Sequence, residues 1–197
     1  MNLVYCVKGV NLSKVGIRAL GISESFRRGS DNSVLCGVVM TGGLKIDGIA
    51  LSSITVGGTD ATQGILRLYD MLDRRDINFL LLNGCVISWF NVIDLDVLYQ
   101  ELCLPVICMT YEESEGLETY FREYFEDFEH RLEMYNRIEN RRMVKVRTGF
   151  DVYLRMRGCT LKEGQVLINR FITHGKVPEP LRIAKLMARA VLKTGGN

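Results

Sequence analysis

The clearest structural signal in this chain of 197 residues is the stretch 33–40, Ser-Val-Leu-Cys-Gly-Val-Val-Met. Polar residues and glycines bound it, and a nearly continuous apolar run of this length is typical of a β-strand. The glycines of Thr41-Gly42-Gly43 suit a hairpin turn into a second strand over 44–56. A weak alternation over 17–23 predicts a strand before both. Three strands with short connections indicate an antiparallel meander.

After this meander the hydrophobic pattern takes on the helical period. Gly57-Gly58-Thr59 ends the strand, and apolar residues at helical spacing predict a helix over 60–75. Asp60 followed by Gln63 resembles the capping pair that begins a helix. The two glycines could also offer backbone N–H groups to a phosphate, although a tight turn explains them equally well.

Strands and helices alternate through the rest of the chain. Short, fully apolar runs at 77–82 and 105–109 predict central strands that are covered on both faces. The other predicted elements are a helix over 94–102, a long acidic helix over 117–140, β-like stretches over 144–157, a helix from the capping box of Thr160 and Glu163 to about 174, and a final helix after Pro178-Glu179-Pro180. This order predicts an α/β fold, with one mixed sheet, helices on both faces and a single domain over 1–197.

Composition and charge exclude several classes of protein. With 47% hydrophobic and 24% charged residues, the chain is neither disordered nor collagen-like nor a coiled coil. Residues 1–139 hold 12 Lys and Arg against 20 Asp and Glu, whereas residues 140–197 hold 13 against 3. Such an asymmetry suits an anionic partner for the basic part, or mutual neutralisation of the two parts in the fold. Both interpretations stay open.

The six cysteines form no C-x-x-C pair, and the chain has only two histidines, which argues against a zinc site. Cys36, Cys85 and Cys108 lie in or beside apolar runs, where a free thiol acts as a small hydrophobe. This usage suits a reducing cytosol and predicts a cytoplasmic protein. Residues 1–14 lack a basic region followed by a long apolar core, so no signal peptide is predicted there, and no uncharged apolar stretch is long enough to predict a membrane span. The oligomeric state stays open.

The predicted sheet has one edge where ligands would bind, at the carboxyl ends of its central strands. Ser23, Glu24 and Asn83 end two of these strands, and Asp60 begins a helix that could face the same edge. Carboxylates that meet there would suit a divalent metal for phosphodiester chemistry. Glu24 as a plain surface residue and Asp60 as a simple helix cap are the alternatives.

The final helix carries four cations at spacings of 3, 4 and 4, within an arc of roughly 80°: Arg182, Lys185, Arg189 and Lys193. Such a stripe can contact phosphates, or it can be a solvated face. Its opposite side would face the core through Leu181, Ala184, Ala188 and Val191. Trp89 and Phe90, after the central strand at Asn83, could stack on an unpaired base or pack beneath a loop.

Six segments together resemble a known family. They are residues 17–22, 37–40 with Asp47-Gly48, 54–56 with 60–62, Phe90-Asn91-Val92-Ile93-Asp94, 104–107 and 178–184. In this order they resemble the mainly archaeal uncharacterised family known as domain of unknown function ninety-nine, a distant relative of endonuclease V. The resemblance covers about residues 16–193. It implies a ribonuclease H-like fold, in which a five-stranded mixed sheet has an antiparallel meander followed by parallel strands.

The resemblance also implies where this chain departs from a metal-dependent nuclease. The family pattern has Asp at Ser23, Asp at Asn83 and His at Lys185, and Asp60 is the one acidic position that matches. Two anions are therefore absent from the implied site and one cation is present. A unit charge at about 4–6 Å and an effective dielectric near 20 is worth about 3–4 kcal/mol, so divalent metal binding should be weak.

These observations lead to an expected function. The chain is interpreted as an endonuclease V-like domain with a degenerate metal site, which binds nucleic acid without ordinary cleavage and needs no cofactor. The first alternative is a divalent-metal-dependent endonuclease that uses Mg or Mn held by Glu24, Asp60 and Asp47. The second is a protein-interaction module built on the acidic segment 112–139, which holds ten acids against three bases.

Overall fold

A seven-stranded mixed sheet forms the centre of the structure, a computed structural model that describes residues 11–194. The described strands are β1 (Arg18–Ser25), β2 (Asn32–Thr41), β3 (Ile46–Thr55), β4 (Phe79–Asn83), β5 (Val86–Ile87), β6 (Asn91–Val92), β7 (Val106–Thr110), β8 (Arg142–Lys145) and β9 (Asp151–Arg157). The helices are α1 (Ala61–Met71), α2 (Leu95–Leu102), α3 (Glu118–Tyr124), α4 (Phe128–Asn136), α5 (Leu161–Asn169) and α6 (Glu179–Thr194). No helix within 11–194 is both long and apolar enough to cross a membrane.

The strand order of the main sheet is β3-β2-β1-β4-β7-β9-β8, and β5 and β6 form a separate hairpin. The antiparallel meander β1–β2–β3 and the parallel strands β4 and β7 confirm the predicted fold class. The sheet has seven strands where five were expected, because β9 pairs antiparallel with β7 and β8 pairs with β9. β9 joins the sheet because its alternate residues are buried in the core.

Two helical layers cover the faces of the sheet. Leu20, Leu80 and Leu82 pack beneath α1 and α2, whereas Ala19 and Leu81 pack in the core beneath α5 and α6. Side chains of a strand alternate between its faces. In β1 and β4, therefore, even-numbered residues point towards α1 and odd-numbered residues towards α6.

The acidic segment forms two helices rather than the single long helix that was predicted. Phe125 ends α3 in an extended conformation, with φ −133° and ψ 133°. Its ring lies beneath the guanidinium of Arg131, whose Cζ is 3.9 Å from the ring centroid. We attribute the break to this contact, since a continuous helix would give Phe125 a different backbone conformation. The predicted helix towards 174 also ends earlier, at Asn169.

The cysteines differ from the expectation of free thiols. Cys85 and Cys108 form a disulfide, with 6.1 Å between their Cα atoms. They meet because β4 and β7 are neighbours, and Asn83 is paired with Met109 near the ends of these strands. Cys36 is free and buried, as predicted, and burial raises the pKa of its thiol to about 11. The argument from free thiols to a reducing cytosol therefore no longer holds for this pair. Cys6 lies outside the described residues, and so does most of the segment 1–14 for which no signal peptide was predicted.

The amino end of α6 lies directly against β1 at Gly21. A Cβ atom at this position would lie 2.6 Å from Pro180 Cβ and 2.9 Å from the backbone nitrogen of Leu181. Only a residue without a side chain allows the helix to approach this closely, so Gly21 sets the distance between α6 and the sheet.

We expect Gly21→Ala to lower the free energy of unfolding by about 1–3 kcal/mol, because the added methyl meets backbone atoms that cannot move independently. Chemical denaturation measures the change. Gly16→Ala is the matched control, since a Cβ atom there meets nothing within 4 Å. Equal stability of the two variants would contradict the close approach of α6.

Candidate functional site

The carboxyl ends of β1 and β4 lie side by side at one edge of the sheet. Ile22 pairs with Leu82 in parallel register, so Ser23 and Asn83 are the next residues of neighbouring strands. Adjacent strands are about 4.8 Å apart, and the two residues therefore lie close together. β3 ends at this same edge, since it runs parallel to β1 through two antiparallel pairings.

Ser23 connects the edge of the sheet to α6. Its side chain is buried, and its Oγ donates a hydrogen bond of 3.0 Å to the carbonyl oxygen of Leu181. The hydroxyl hydrogen is thus used to fix the first turn of the helix. This contact agrees with the alternation of β1, which directs Ser23 towards α6.

Glu24 and Lys185 form the charged contact at this edge. Lys185 Nζ donates to the carbonyl oxygen of Glu24 at 2.5 Å and lies 3.8 Å from its Oε1. Ser33 Oγ donates to the other carboxylate oxygen at 3.3 Å. The Glu24 side chain is only 12% exposed, so the interpretation of Glu24 as a plain surface residue is wrong.

Asp60 lies at the start of α1 but does not cap it, so the predicted capping by Asp60 and Gln63 is wrong. The Asp60 carboxylate instead accepts hydrogen bonds from the backbone N–H and the hydroxyl of Thr55, each at 3.1 Å. It also accepts one of 2.7 Å from Asn91 Nδ2. Asp60 therefore fastens the end of β3 to the helix start.

Asn91 performs the capping role that was assigned to Asp60. Its Oδ1 accepts from the backbone N–H of Ala61 at 2.9 Å, and the side chain is fully buried. Asn91 belongs to one of the family segments, but no role was predicted for it. No local pattern could have shown it, because Asn91 is 30 residues from the helix that it caps.

Asp47, an expected metal ligand in the nuclease alternative, lies at the opposite edge of the sheet. It forms ion pairs with Arg18 at 2.5 Å and Arg74 at 2.8 Å. Hydrogen bonds from Arg18 and Arg74 lower the pKa of Asp47. Arg18 begins β1 whereas Glu24 is six residues further on, which separates them by about 20 Å. That part of the expectation is wrong. No group of three His, Cys, Asp or Glu side chains within 11–194 is arranged to hold a metal ion.

Arg131 of α4 is a buried cation that the sequence analysis missed. Its guanidinium donates to the carbonyl oxygens of Gly57 at 2.8 Å and Gly58 at 2.9 Å, and it pairs with Asp127 at 2.8 Å. The hydrogen bond from Arg131 lowers the pKa of Asp127. A third bond, of 3.4 Å, reaches the carbonyl oxygen of Phe90. Arg131 therefore holds the turn before α1 against the β5–β6 turn.

The amides of the same glycines are occupied within the fold. Gly57 N donates to the carbonyl oxygen of Ser88 at 2.8 Å, and Gly58 N donates to that of Thr55 at 3.2 Å. The phosphate-binding alternative for these two glycines is therefore wrong, and the turn interpretation is correct.

The β5–β6 turn has an unusual backbone. Ser88, Trp89 and Phe90 have φ values of 45°, 58° and 63°, in the left-handed region that side chains other than glycine rarely adopt. Phe90 lies within an aromatic cluster, stacked on Tyr120 and Tyr124 at centroid distances of 6.0 and 6.1 Å. Phe90 thus packs beneath the turn, which was the second of its two predicted roles.

The basic stripe on α6 divides into two parts. Arg182 pairs with Glu179, and Lys185 reaches Glu24, so both cations have internal partners. Arg189 and Lys193 are exposed. Burial acts to raise the pKa of Glu179, but hydrogen bonds from Arg182 and Thr173 outweigh it and lower the pKa. Opposite the stripe, Leu181, Ala184 and Ala188 are buried as predicted, and Val191 is half-buried.

A mixed sheet with this strand order, and with a C-terminal helix packed across its first strand, defines an endonuclease V-like protein with a ribonuclease H-like fold. The chain belongs to the family described as Endonuclease dU, whose model matches residues 15–192. It is 34% identical to a UPF0215 protein of Pyrobaculum calidifontis over 173 residues, which cover 87% of this chain and 95% of that protein. The predicted relationship to an uncharacterised archaeal family close to endonuclease V is confirmed.

Solved structures agree with this assignment. A protein of unknown function from Archaeoglobus fulgidus matches with a TM-score of 0.77 and 26% identity, covering 89% of this chain and 98% of that chain. Endonuclease V of Ciona intestinalis, in complex with DNA that contains an inosine, matches with a TM-score of 0.62 and 17% identity. That match covers 93% of this chain and 88% of the other, and it shows the fold alone.

We expect Arg131→Ala to destabilise the protein by about 2–4 kcal/mol, because it leaves carbonyl oxygens of the two turns without their donor. Thermal and denaturant unfolding measure the effect. Arg137→Ala is the matched control, since Arg137 makes an exposed ion pair with Glu133 four residues away. That control should change stability by less than about 0.5 kcal/mol. A loss of similar size in both variants would contradict the role of Arg131.

Proposed function

We propose that this protein binds nucleic acid through an endonuclease V-like scaffold and does not perform ordinary metal-dependent cleavage. One observation carries the proposal. Lys185 donates a hydrogen bond to the backbone carbonyl of Glu24 and lies 3.8 Å from its carboxylate, at the edge where a nuclease of this fold would need its anions. The ammonium group of Lys185 thus takes the place that a bound metal cation would have beside Glu24.

The donor set at this edge does not fit a divalent metal. Glu24 and Asp60 supply carboxylates, but Lys185 neutralises the first and Thr55 with Asn91 occupies the second. Ser23 supplies a hydroxyl that already donates to a helix carbonyl. A hard dication prefers several oxygen ligands with enough negative charge to offset its own. Each lost unit charge costs about 3–4 kcal/mol at this range.

Two observations support binding to nucleic acid, the positive charge of the last part of the chain and the similarity to endonucleases. Residues 140–197 carry a balance of +10, and Arg189 and Lys193 present exposed cations one turn apart on α6. Lys and Arg side chains that neutralise phosphates supply most of non-specific binding. The family description and the inosine-containing complex of Ciona endonuclease V make deoxyuridine and inosine the first modified bases to test.

The family description also favours a second candidate, a metal-dependent endonuclease that uses Glu24 and Asp60. Both carboxylates lie at the same edge of the sheet, so the two functions share one site. They differ in whether a metal binds, which makes metal affinity the discriminating measurement.

The binding proposal predicts salt-dependent affinity for nucleic acid. The wild-type protein should bind labelled DNA or RNA with a Kd below about 10 μM at low salt, with unmodified, inosine and deoxyuridine sequences compared by anisotropy. Removing two phosphate contacts with Arg189→Ala and Lys193→Ala should lower the slope of log K against log salt by about 1.4 on single strands.

The matched control removes two exposed cations elsewhere, Lys45 in the β2–β3 hairpin and Lys162 on α5. Lys45→Ala with Lys162→Ala makes the same change in net charge and should leave the slope unchanged. The absence of salt-dependent binding below about 10 μM would refute the proposal.

If the replaced residues are the reason why the site does not fit a metal, restoring the family pattern should restore metal binding. We expect the triple variant Ser23→Asp, Asn83→Asp and Lys185→His to bind Mn²⁺ at least about 100-fold more tightly than the wild-type protein, which corresponds to about 3 kcal/mol. Isothermal titration calorimetry measures both affinities, and circular dichroism confirms that the variant is folded.

Two results would count against this view. A folded triple variant that gains no Mn²⁺ affinity would show that these residues do not form one site. Tight Mn²⁺ binding by the wild-type protein that Asp60→Asn abolishes, together with strand scission, would establish the endonuclease instead.

A further inference from the structure

Two turns approach each other above the candidate site. The β1–β2 turn, residues 26–31, follows Glu24 along the chain, and the β5–β6 turn carries Trp89. Arg28 lies over the Trp89 ring, with 5.9 Å between its Cζ atom and the ring centroid. On its other side the β1–β2 turn reaches α6, where Arg27 Nη2 lies 3.5 Å from the carbonyl oxygen of Lys193.

The distance between Arg28 and Trp89 is the informative quantity. Arg122 lies 5.2 Å from the ring centroid of Phe128 and Arg155 lies 5.8 Å from that of Tyr135. The Cζ atom of Arg131, by contrast, lies 3.9 Å from the centroid of Phe125. The Arg28 contact is about 2 Å longer than that one. Stacked bases are about 3.4 Å apart, and a base between two planar groups needs two such spacings, roughly 6.8 Å. The Arg28 contact thus lies at the long end of the cation–π range, and a base that enters between the two side chains requires Arg28 to move outwards by about 1 Å.

The two sides of this gap differ in rigidity. Trp89 belongs to the turn with three positive φ values, and a turn of this kind persists only where its surroundings hold it. The residues on either side of Trp89 are held by hydrogen bonds. The backbone N–H of Gly57 donates to the carbonyl oxygen of Ser88, and the guanidinium of Arg131 donates to that of Phe90. Arg28, by contrast, is an exposed residue on a connecting turn. A shift of about 1 Å is therefore easy for the arginine.

The group over the face of Trp89 is an arginine and not an aromatic ring. Tyr124 and Phe90 meet the ring at interplanar angles of 74° and 81°, so neither of them stacks in parallel on it. Arg28 is the group found over the ring. Aromatic rings and guanidinium planes are the groups on which proteins stack unpaired bases.

We infer that Arg28 and Trp89 form a clamp that takes one unpaired nucleobase of a single-stranded nucleic acid at the mouth of the candidate site. The inference rests on the proposed function and specifies the ligand as a single strand with an unpaired base. Arg27, Arg189 and Lys193 lie on the side where the turn meets α6 and would contact the phosphates that flank the clamped base. A base within a duplex cannot enter, because its faces are covered by its neighbours.

Trp89 is the single tryptophan of the chain, so its fluorescence reports the clamp directly. We expect an unstructured single-stranded DNA to quench this fluorescence in a saturable way, at the same concentrations at which anisotropy detects binding. The corresponding duplex should bind without comparable quenching.

Substitutions separate the stacking role of Arg28 from its charge. Arg28→Ala should weaken single-strand binding about 5- to 150-fold, the range measured for loss of one stacking contact. Arg28→Lys keeps the charge but not the plane and should lose at least about 5-fold. Trp89→Phe should retain most of the affinity, since it keeps a stacking ring. Arg122→Ala, at an exposed arginine of α3, is the control and should bind as the wild type does.

The outcomes of these experiments test the clamp separately from the proposed binding of nucleic acid. Binding without quenching, or full affinity in Arg28→Lys, would overturn the clamp and leave nucleic-acid binding in place. Equal quenching by the duplex would overturn the requirement for an unpaired base. An absence of binding to every oligonucleotide would overturn both.

Discussion

The close packing of α6 across β1 is the contact on which the rest of the site depends. Gly21 allows the helix to approach the strand, Ser23 then reaches the carbonyl of Leu181, and Lys185 reaches Glu24 one turn further along. These three contacts fix the same helix on the same strand. Any change that moved α6 outwards would separate the ammonium from the carboxylate and leave a poorly solvated charge on each side.

Arg131 makes the corresponding contact on the other side of the sheet. A guanidinium carries five donors in a fixed plane, which lets one side chain bind two separate turns and a carboxylate. The acidic segment therefore does more than present charge to solvent. It delivers one buried cation and a set of aromatic rings, including Phe121 and Phe125, that support the turn carrying Trp89 and Phe90. The break between α3 and α4 follows from this role.

The electrostatics of the molecule separate into two regions. At the carboxyl edge of the sheet the charges are paired internally, since Lys185 neutralises Glu24 and hydrogen bonds occupy Asp60. On the outer surface of α6 and the β1–β2 turn, cations face solvent. Paired charges stabilise a fold, whereas exposed cations attract phosphates at long range. This division is the physical basis of the proposed binding of nucleic acid without a metal.

The sequence by itself determined the fold class, because hydrophobic periodicity and turn residues are local and the meander and the buried strands follow from them. It also determined which residues end the central strands, and so brought Ser23 and Asn83 together. It did not determine which polar side chain serves which element. Asn91 rather than Asp60 caps α1, Asp47 lies at the far edge, and Arg131 connects a turn 73 residues away with another turn 41 residues away. Only the tertiary structure decided these pairings, because a hydrogen bond or ion pair depends on the distance between two side chains, and folding sets that distance independently of their separation along the chain.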